Sequence, residues 1–429
     1  MSRFFNSFYI VPIFCLSLHA QWITGFYEAQ NGVEPATSIP WSKYTHIIHF
    51  AAVPGVDGNG NGDGSILLNK LSQQEIASFI NSRPPGKLAL ISITDNRNAT
   101  SAFSQSTASG VIGAFVSDIA ELVTTNRYDG VDIDWEDSVN SDQYNQLLSQ
   151  LRAAMPDKVI TVDVNNNPAL VQVAAASQSV VDQFHVMCYD MDNPANGYSW
   201  YNDALFQNGN GSVSTCDWRV HPFVAAGVAP YRLGIGIPFF GRRWQGVMRA
   251  GVAGNFRAST VYYSQLSTDS TRWQSQYQFY DDSYRSNYLS IPGMIEFDSY
   301  TGPEEIQDIA AWIKSSGFGG AMTYSLHYEF LPGVSGDAKY PLSTALYQAL
   351  FGTGGGMPRT PPPKRQAATF PMTRRARVEY AAFGLVACML IAGVMFVAIS
   401  QTWTRKRNTV LRRQLRSTYK ITSNTLTKK

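Results

Sequence analysis

The chain has 429 residues, of which 44% are hydrophobic and 15% are charged, and its formal net charge is +2. That length exceeds what one small domain needs and suffices for one large α/β barrel with additional segments. A net charge so close to zero provides no overall positive field, so the composition argues against nucleic-acid binding. Aromatic residues make up 13% of the chain, which suits a protein whose ligand stacks on ring faces.

Strand-like and helix-like segments alternate from residue 21 onward. Helices are indicated by the capping-box pattern Ser72 to Glu75, by apolar residues at helical spacing in 111–122 and 144–151, and by the stretch 301–315. Strands alternating with helices over about 330 residues predict a (β/α)8 TIM barrel. The eight predicted strands are 22–27, 44–51, 88–93, the acidic stretch within 128–137, 159–164, 184–189, 232–238 and 319–325.

Two segments interrupt this alternation. Residues 55–64 consist largely of Gly, Asn and Asp, which tolerate turns, and they are predicted to form a loop. Residues 241–296 are rich in Tyr, Ser and Gln, and they are predicted to be a short insertion after the seventh strand that forms a wall of a cleft.

The two ends of the chain are predicted to direct it to a membrane. Residues 1–20 have a basic start and an apolar run, and they are interpreted as a signal peptide. Residues 352–379 form a Gly/Pro-rich stalk, and 380–403 are long and apolar enough for a transmembrane helix. Residues 404–429 would be a basic cytoplasmic tail. A cleaved signal then predicts a single-pass type I membrane protein of the secretory pathway with its barrel outside the cell.

Two cysteines, Cys188 and Cys216, lie outside the predicted signal and membrane segments. They can form one disulfide bond in an oxidising compartment. Alternatively, Cys188 is a buried free thiol facing the helical layer, and the sequence leaves both readings open.

The stretch with the clearest chemistry is residues 128–137, in which apolar residues alternate with carboxylates. A period of two indicates a strand, so Asp132, Asp134 and Glu136 share one face. Three neighbouring carboxylates repel one another, so one of them holds a proton or a cation lies among them. Such a row is suited to a site that needs a proton donor next to a charge.

Two other interpretations of this stretch are open at this point. The carboxylates could be the solvated face of an edge strand, although the opposite face is apolar and Gly130 enters the strand tightly. They could also bind a divalent metal ion, since hard cations prefer carboxylate oxygens. The chain supplies no accompanying histidine cluster or phosphate-binding loop for a metal, so no metal or cofactor is expected.

Four motifs give the chain a resemblance to glycoside hydrolase family 18, the chitinase family. Residues 129–136, DGVDIDWE, fit that family's D-G-x-D-x-D-x-E strand, and residues 187–190, MCYD, fit its M-x-Y-D motif. Residues 233–242 and 319–322 are similar to its seventh and eighth strands. The likeness covers residues 21–350 in order, so 21–351 is interpreted as a catalytic barrel of this family.

The resemblance implies roles for the motif residues. Glu136 would be the general acid, and the acetamido oxygen of the substrate would replace a carboxylate nucleophile, as in the substrate-assisted glycosidases. Asp134 would orient the acetamido group and share a proton with Asp132. Tyr189 would hydrogen-bond the acetamido oxygen, with Met187 and Asp190 lining the same subsite.

The chain departs from the family pattern at several positions. The third strand ends in Thr94-Asp95 where the family has two glycines, and Phe240 replaces a tyrosine. The tryptophan that floors the central sugar in the family is Tyr324 here. Phe26 and Arg242 are further candidate substrate contacts.

The resemblance therefore implies a membrane-anchored, monomeric chitinase that hydrolyses β-1,4 bonds in chitin or N-acetylglucosamine oligosaccharides. One alternative is an endo-β-N-acetylglucosaminidase acting on N-glycans. Another is a non-catalytic chitin-binding lectin or receptor on the same barrel.

Overall fold

A closed barrel of eight parallel strands forms the centre of the computed structural model, which describes residues 21–28, 34–69, 71–192, 197–207 and 213–352. The strands of these residues, in chain order, are β1 (Trp22–Tyr27), β2 (His46–Val56), β3 (Gly62–Leu67), β4 (Leu88–Thr94), β5 (Gly130–Asp134), β6 (Val159–Val164), β7 (Gln183–Val186), β8 (Leu233–Pro238), β9 (Phe240–Gln245), β10 (Arg257–Tyr262), β11 (Gln278–Asp281), β12 (Ser286–Ile291), β13 (Glu296–Tyr300) and β14 (Gly320–Tyr324).

The barrel strands follow the order β1, β2, β4, β5, β6, β7, β8, β14, and β14 pairs with β1 to close the sheet. Each neighbouring pair is parallel. The predicted (β/α)8 barrel is therefore confirmed. Each of the eight predicted strands is present, two of them (22–27 and 159–164) with the predicted bounds and the others with one or both ends displaced by a few residues. The side chains at the carboxyl ends of these strands meet at one end of the barrel, where chemistry is located in this fold.

The helices of the described residues are α1 (Gln73–Ser82), α2 (Ala102–Ser106), α3 (Ile112–Thr125), α4 (Ser141–Ala154), α5 (Pro168–Ser177), α6 (Cys216–Ala225), α7 (Tyr263–Thr268), α8 (Pro303–Ser316), α9 (Leu326–Glu329) and α10 (Pro341–Phe351). The predicted capping box is present at α1, where Ser72 Oγ accepts from the Glu75 N–H and Glu75 Oε2 accepts from the Ser72 N–H. Reciprocal bonds of this kind satisfy two donors that a helix start would otherwise leave unpaired.

The back of the acidic strand β5 is anchored in the core between barrel and helices. The Trp135 ring is fully buried and stacks on Phe103 at 5.1 Å between ring centroids. Tyr144 of α4 donates its hydroxyl to the Ile133 carbonyl at 2.9 Å. Burial of an aliphatic side chain such as Ile133 contributes about 1.5–3 kcal/mol. Gly130 is required at the start of this strand, because a Cβ there would lie 2.1 Å from the Val159 carbonyl oxygen.

The predicted loop over residues 55–64 is wrong in part, because most of it belongs to a β-hairpin. Strand β2 continues to Val56 and pairs antiparallel with β3, which begins at Gly62. Only the connection between them is a turn, in which Asp57 Oδ1 accepts from the N–H groups of Asn59 and Asn61 at 2.8 and 2.9 Å. Gly, Asn and Asp are typical of turns, so the sequence did not indicate strands here. The strand residues are fixed by the pairing of β2 with β3 and not by their own β propensity.

The predicted insertion after the seventh barrel strand is an antiparallel sheet. Strands β9 to β13 pair in the order β10, β9, β13, β12, β11, and β9 starts two residues after β8 ends. Among the described residues, those of 241–296 do not line the two cavities at the barrel mouth. Several of them line a separate cavity of about 660 Å³. The expectation that this insertion forms a wall of the cleft stays a prediction.

The predicted signal peptide, stalk, transmembrane helix and tail lie outside the described residues, apart from Gly352 at the start of the stalk. Within the described part of the chain, every helix is too short or too polar to cross a lipid bilayer.

Candidate active site

The carboxylates of strand β5 point into the barrel as the alternation predicted. Asp132 is fully buried and Asp134 is 8% exposed, whereas Glu136 lies just beyond the end of the strand and is reachable from solvent. The three groups thus form a row that runs from the barrel interior to its carboxyl end. We call Asp132, Asp134 and Glu136 the carboxylate row.

Asp132 is the deepest member and is held by hydroxyl donors from both neighbouring strands. Ser92 of β4 donates to its Oδ2 at 2.9 Å, and Thr161 of β6 donates to its Oδ1 at 2.5 Å. Burial, and then the nearby Asp163, raise the pKa of Asp132 to about 7, against the opposing effects of His185 and the two hydroxyls. Asp132 is therefore poised to hold or release a proton near neutral pH.

Asp134 occupies the middle of the row with one oxygen bound and one unpaired. Thr94 donates to its Oδ2 at 2.8 Å, while Oδ1 is buried without a hydrogen-bond partner among the described residues. Burial, and then the carboxyl groups of Asp163, Glu136 and Asp132, raise the pKa of Asp134 well above its usual value. An unpaired buried carboxyl oxygen is costly, so Oδ1 is ready to pair with a proton or with an N–H group of a ligand.

Glu136 is positioned through both its side chain and its backbone. Asn165, just after β6, donates to Glu136 Oε2 at 2.9 Å. Asp95 Oδ2 accepts from the N–H groups of Glu136 and Asp137 at 2.7 and 3.0 Å. Burial of the carboxyl group raises the pKa of Glu136, and the bond from Asn165 opposes this shift. A raised pKa keeps this carboxyl protonated to higher pH, as a general acid requires.

Asp95, which directly follows the third barrel strand, therefore holds the backbone at Glu136, and this gives a test. Asp95→Ala is expected to lower kcat by about tenfold, since two backbone N–H groups next to Glu136 lose an acceptor worth about 1–2 kcal/mol. Asp95→Asn keeps an acceptor oxygen and should remain close to the parent. Steady-state kinetics on an N-acetylglucosamine oligomer decides, and equal losses in both variants would contradict this role for Asp95.

Met187, Tyr189 and Asp190 follow strand β7, which is the second strand along the barrel from β5. All three line the same cavity as Asp134 and Glu136. The Tyr189 hydroxyl makes no hydrogen bond to any residue in the described ranges, so it is available to a ligand. Asp190 adopts a left-handed backbone conformation with φ of 54°, which Asp tolerates better than most residues. Its N–H donates to Asn202 Oδ1 at 3.1 Å.

Helix α6 fixes this segment in two ways. The Arg219 guanidinium donates to the carbonyl oxygens of Met187 and Tyr189 at 2.8 and 2.6 Å, and to that of Asp190 at 3.1 Å. Cys188 and Cys216 form a disulfide bond. The structure thus resolves the alternative that the sequence left open in favour of the bridge, which joins the site segment to the first residue of α6.

Reduction of this bond is expected to lower the free energy of unfolding by about 3–4 kcal/mol, because the bridge closes a loop of 28 residues. Urea denaturation with and without dithiothreitol measures the difference. The double variant Cys188→Ala/Cys216→Ala is the control and should not respond to the reductant. The expectation would be contradicted if the reduced parent, with both thiols shown to be free, unfolded at the same urea concentration as the oxidised parent.

Aromatic rings from two barrel strands line the cavity opening. Tyr324 at the end of β14 lines it together with Phe50 of β2, and the two rings meet edge to face at 5.7 Å. Phe26 is 1% exposed and does not line the cavity. Its ring lies 5.8 Å from Phe50 and 5.5 Å from Tyr324, so it supports these two rings instead of presenting a surface of its own.

Arg242, the other candidate substrate contact, is engaged by protein carboxylates. Its Nε lies 2.5 Å from Asp192 Oδ2, and its NH2 group lies 3.0 Å from Asp190 Oδ1. Arg242 does not line the cavity among the described residues. The structure therefore places it behind Asp190, where it orients that carboxylate.

The cavity at the barrel mouth has a volume of about 580 Å³, and a second lobe of about 450 Å³ shares part of its lining. The residues common to both lobes are Phe50, Thr94, Asp95, Arg97 and Tyr324. A concave site of this size with a few converging polar groups has the general form of a ligand-binding site.

Sequence reasoning missed several residues of this cleft. Asp163 and Asn165 of the β6 end, Arg97 beyond β4, Phe50 and Arg219 all line the cavity. A signal was present for Asp163, because Thr161 and Asp163 alternate with apolar residues on their strand as the carboxylates do on β5. The others lie on loops or on a neighbouring helix, where no periodicity marks them.

One further cluster lies beneath the row. Asp132 Oδ1, Asp163 Oδ1 and His185 Nδ1 are within 4.8 Å of one another, a spacing that metal ligands also show. These atoms are already engaged, since His185 Nδ1 lies 2.9 Å from Asp163 Oδ1 and Thr161 donates to Asp132. We therefore assign the cluster to hydrogen bonding.

Together these features define a class: a (β/α)8 barrel with a row of carboxyl groups in the cleft at the carboxyl ends of its strands. The profile of the glycosyl hydrolases family 18 matches residues 23–329. Because the match spans more than half of the chain, the chain belongs to this family.

Its curated relatives are distant. Chitinase A1 of Niallia circulans is 25% identical over 285 residues, which are 57% of this chain and 40% of that protein. The endochitinase of Manduca sexta is 22% identical over 383 residues, covering 79% of this chain and 67% of the relative. The chain spans 40%, 51% and 63% of the lengths of three such relatives, from Niallia circulans, Aphanocladium album and Medicago truncatula.

Solved structures share the fold. The group IV chitinase of Ostrinia furnacalis matches with a TM-score of 0.66 and 17% identity, over 77% of this chain and 99% of that one. A class V chitinase from Nicotiana tobaccum in complex with NAG4 matches with a TM-score of 0.65 and 18% identity, over 77% and 99%. A chitinase-like agglutinin from Robinia pseudoacacia has a TM-score of 0.64 and 19% identity, over 76% and 99%.

Proposed function

We propose that the chain is a chitinase that hydrolyses β-1,4 bonds between N-acetylglucosamine units with retention at the anomeric carbon. One observation carries the proposal: Glu136, Asp134 and Tyr189 converge on one cavity in which Asp134 Oδ1 and the Tyr189 hydroxyl lack partners among the described residues. An acid, a carboxylate and a hydroxyl in this arrangement are what a substrate-assisted glycosidase needs.

In the first step, the protonated Glu136 donates its proton to the glycosidic oxygen as the bond to the anomeric carbon breaks. The acetamido oxygen of the same sugar attacks that carbon from the opposite side and forms an oxazolinium ion. Asp134 Oδ1 accepts the acetamido N–H, and its negative charge stabilises the cationic ring. The Tyr189 hydroxyl donates to the acetamido oxygen and holds it in line for attack.

In the second step, Glu136 is a carboxylate and accepts a proton from a water molecule, which attacks the anomeric carbon and opens the oxazolinium ring. Two successive inversions leave the β configuration in the product. Asn165 supports both roles of Glu136, because its amide donates to Oε2 and favours the ionised form between the two steps.

Hydrolysis of N-acetylglucosamine tetramers and hexamers by the full chain in mild detergent tests the proposal. We expect cleavage with a β-anomeric product at early times in proton NMR spectra. Fully deacetylated glucosamine oligomers are the matched control and should remain intact, because they lack the acetamido nucleophile. Cleavage of both substrates, or an α-anomeric product, would overturn the mechanism.

A carbohydrate-binding function without hydrolysis is the second candidate, because one of the matching folds is that of an agglutinin and Tyr324 offers less stacking surface than tryptophan. Binding of the oligomers by calorimetry, with no cleavage over days, would favour it. Failure both to bind and to cleave would direct attention to N-glycans, the substrate of an endo-β-N-acetylglucosaminidase.

We also propose that the barrel is displayed outside the cell as a single-pass type I membrane protein. Residues 1–20 and 380–403 have the composition of a signal and a membrane anchor. The Cys188–Cys216 bridge supports passage through an oxidising compartment. Protease treatment of intact cells should remove the barrel and leave a protected tail fragment, and complete protection of the barrel would refute this location.

A further inference from the structure

Two buried groups that the mechanism above does not use lie next to the deep end of the carboxylate row. Asp163 is on β6, on the same face as Thr161, and is 3% exposed. His185 is on the next strand, β7, and is fully buried. Its Nδ1 is 2.9 Å from Asp163 Oδ1 and 3.8 Å from Asp132 Oδ1. The pair therefore contacts the deep end of the row.

The hydrogen bonds around His185 fix how many protons the pair holds. Gln183 Oε1 accepts from the Thr24 hydroxyl at 2.8 Å and lies 3.1 Å from His185 Nε2. An amide oxygen only accepts, so Nε2 carries a hydrogen. The remaining contact, between His185 Nδ1 and Asp163 Oδ1, needs one proton. That proton is on the carboxyl group or on the ring, and in both cases the pair has no net charge.

The groups that face this pair come from every neighbouring element. The three members of the carboxylate row face the pair from the β5 side. The other titratable neighbours are Tyr189 just after β7, Tyr144 on α4 and His46 on β2. Apart from the row itself, these neighbours are neutral at pH 7 in their ordinary or burial-shifted states. The protonation of the carboxylate row therefore depends on whether Asp163 carries a negative charge.

We propose that Asp163 and His185 are a positioning pair that shares one proton and keeps the deep end of the carboxylate row neutral, so that the negative charge needed during turnover resides on Asp134. This inference rests on the proposed function for its kinetic consequence. Its structural content, the shared proton, does not depend on it.

The electrostatics of the site agree with this geometry. Burial raises the pKa of Asp163 well above its usual range, and burial lowers the pKa of His185 to about 4. Both shifts favour the neutral pair of protonated Asp163 and neutral His185. Any negative charge that Asp163 gains at higher pH raises the pKa of Asp134.

Asp163→Asn in the full chain tests the kinetic part. Above pH 8, where the shared proton dissociates, Asp163 is negative in the parent and the residue is neutral in the variant, so the pKa values of Asp134 and Glu136 are lower in the variant there. The low-pH limb of the activity profile is unchanged, because the pair is neutral in both proteins at low pH. The loss of activity at high pH moves to lower pH, by on the order of one unit. KM should change little, because the pair acts through Asp134 and not on the sugar.

Matched variants separate this effect from simple loss of structure. Asp203→Asn also removes a buried carboxyl that accepts from hydroxyls, here of Thr301 and Ser286, but it lies away from the cavity lining. It should alter the thermal unfolding temperature without moving the pH profile. The double variant Asp163→Asn/His185→Asn should have the same profile as Asp163→Asn alone. A uniform fall in kcat at all pH values in folded Asp163→Asn, or additive shifts in the double variant, would overturn the proposal.

Nitrogen NMR of the protein labelled at its six histidines tests the shared proton without any turnover. The signal lost in His185→Asn identifies His185. We expect its Nδ1 shift to lie between those of bare and protonated nitrogen and to stay constant from pH 5 to 8, and to move to the bare value in Asp163→Asn. If the His185 ring titrated near pH 6.5, as an exposed imidazole does, the shared proton would be refuted. If the parent cleaves no chitin oligomer, the proposed function fails and this spectrum still decides the inference.

Discussion

Glu136→Gln is expected to abolish hydrolysis of N-acetylglucosamine oligomers while leaving their binding almost unchanged. The glutamine side chain has the same shape and can still accept the bond from Asn165, but it has no proton to give to the leaving oxygen. General acid catalysis is worth about 10²–10⁴ in rate, and in the proposed mechanism Glu136 is also the base of the second step. We therefore expect kcat to fall by about 10³ or more, measured as initial rates of oligomer cleavage beside calorimetric affinities.

Glu121→Gln is the control for this change, because Glu121 is an exposed residue of α3 that does not line the cavity. It should have the activity of the parent. Retention of a tenth or more of the parental kcat by folded Glu136→Gln would show that another group protonates the leaving oxygen. Asp137 and Asp190, which also line the cavity, would then be the next candidates to substitute.

The barrel and its row of carboxylates could be predicted from the sequence because both produce a periodic pattern among residues that are close together in the chain. Val131 and Ile133 alternate with Asp132 and Asp134, and a strand has to place the two sets on opposite faces. The strand-and-helix alternation then limits the topology to few alternatives. These features depend on residues that are close together in sequence.

The groups that complete the site depend instead on how distant segments meet. Asp95 accepts the Glu136 N–H across 41 positions of sequence, and Arg219 reaches back 32 residues to the Met187 carbonyl. Such contacts exist only once the barrel has closed. The same reason explains why Phe26 and Arg242, plausible from their motif positions, support neighbours of the cavity without lining it.

The change expected to have the second largest effect is Asp134→Asn. The asparagine keeps the shape and can still accept from Thr94, but it removes the charge that stabilises the oxazolinium ion. Loss of one preorganised electrostatic partner of a developing charge costs about 10²–10³ in kcat. KM for the oligomers should change little, since the charge on the substrate appears only during the reaction. Steady-state kinetics at several pH values measures both parameters.

Affinity for a cationic mimic of the oxazolinium ring separates this explanation from a loss of folding or of substrate binding. The parent should bind such a mimic much more tightly than an uncharged oligomer, because the negative Asp134 meets the positive ring in a buried site. Asp134→Asn should lose most of that preference and keep its affinity for the oligomer. Asp157→Asn, which changes an exposed turn residue, should keep both. If Asp134→Asn bound the mimic as tightly as the parent, the positive charge would be stabilised by another member of the row, and Glu136 in its ionised form would be the group to test.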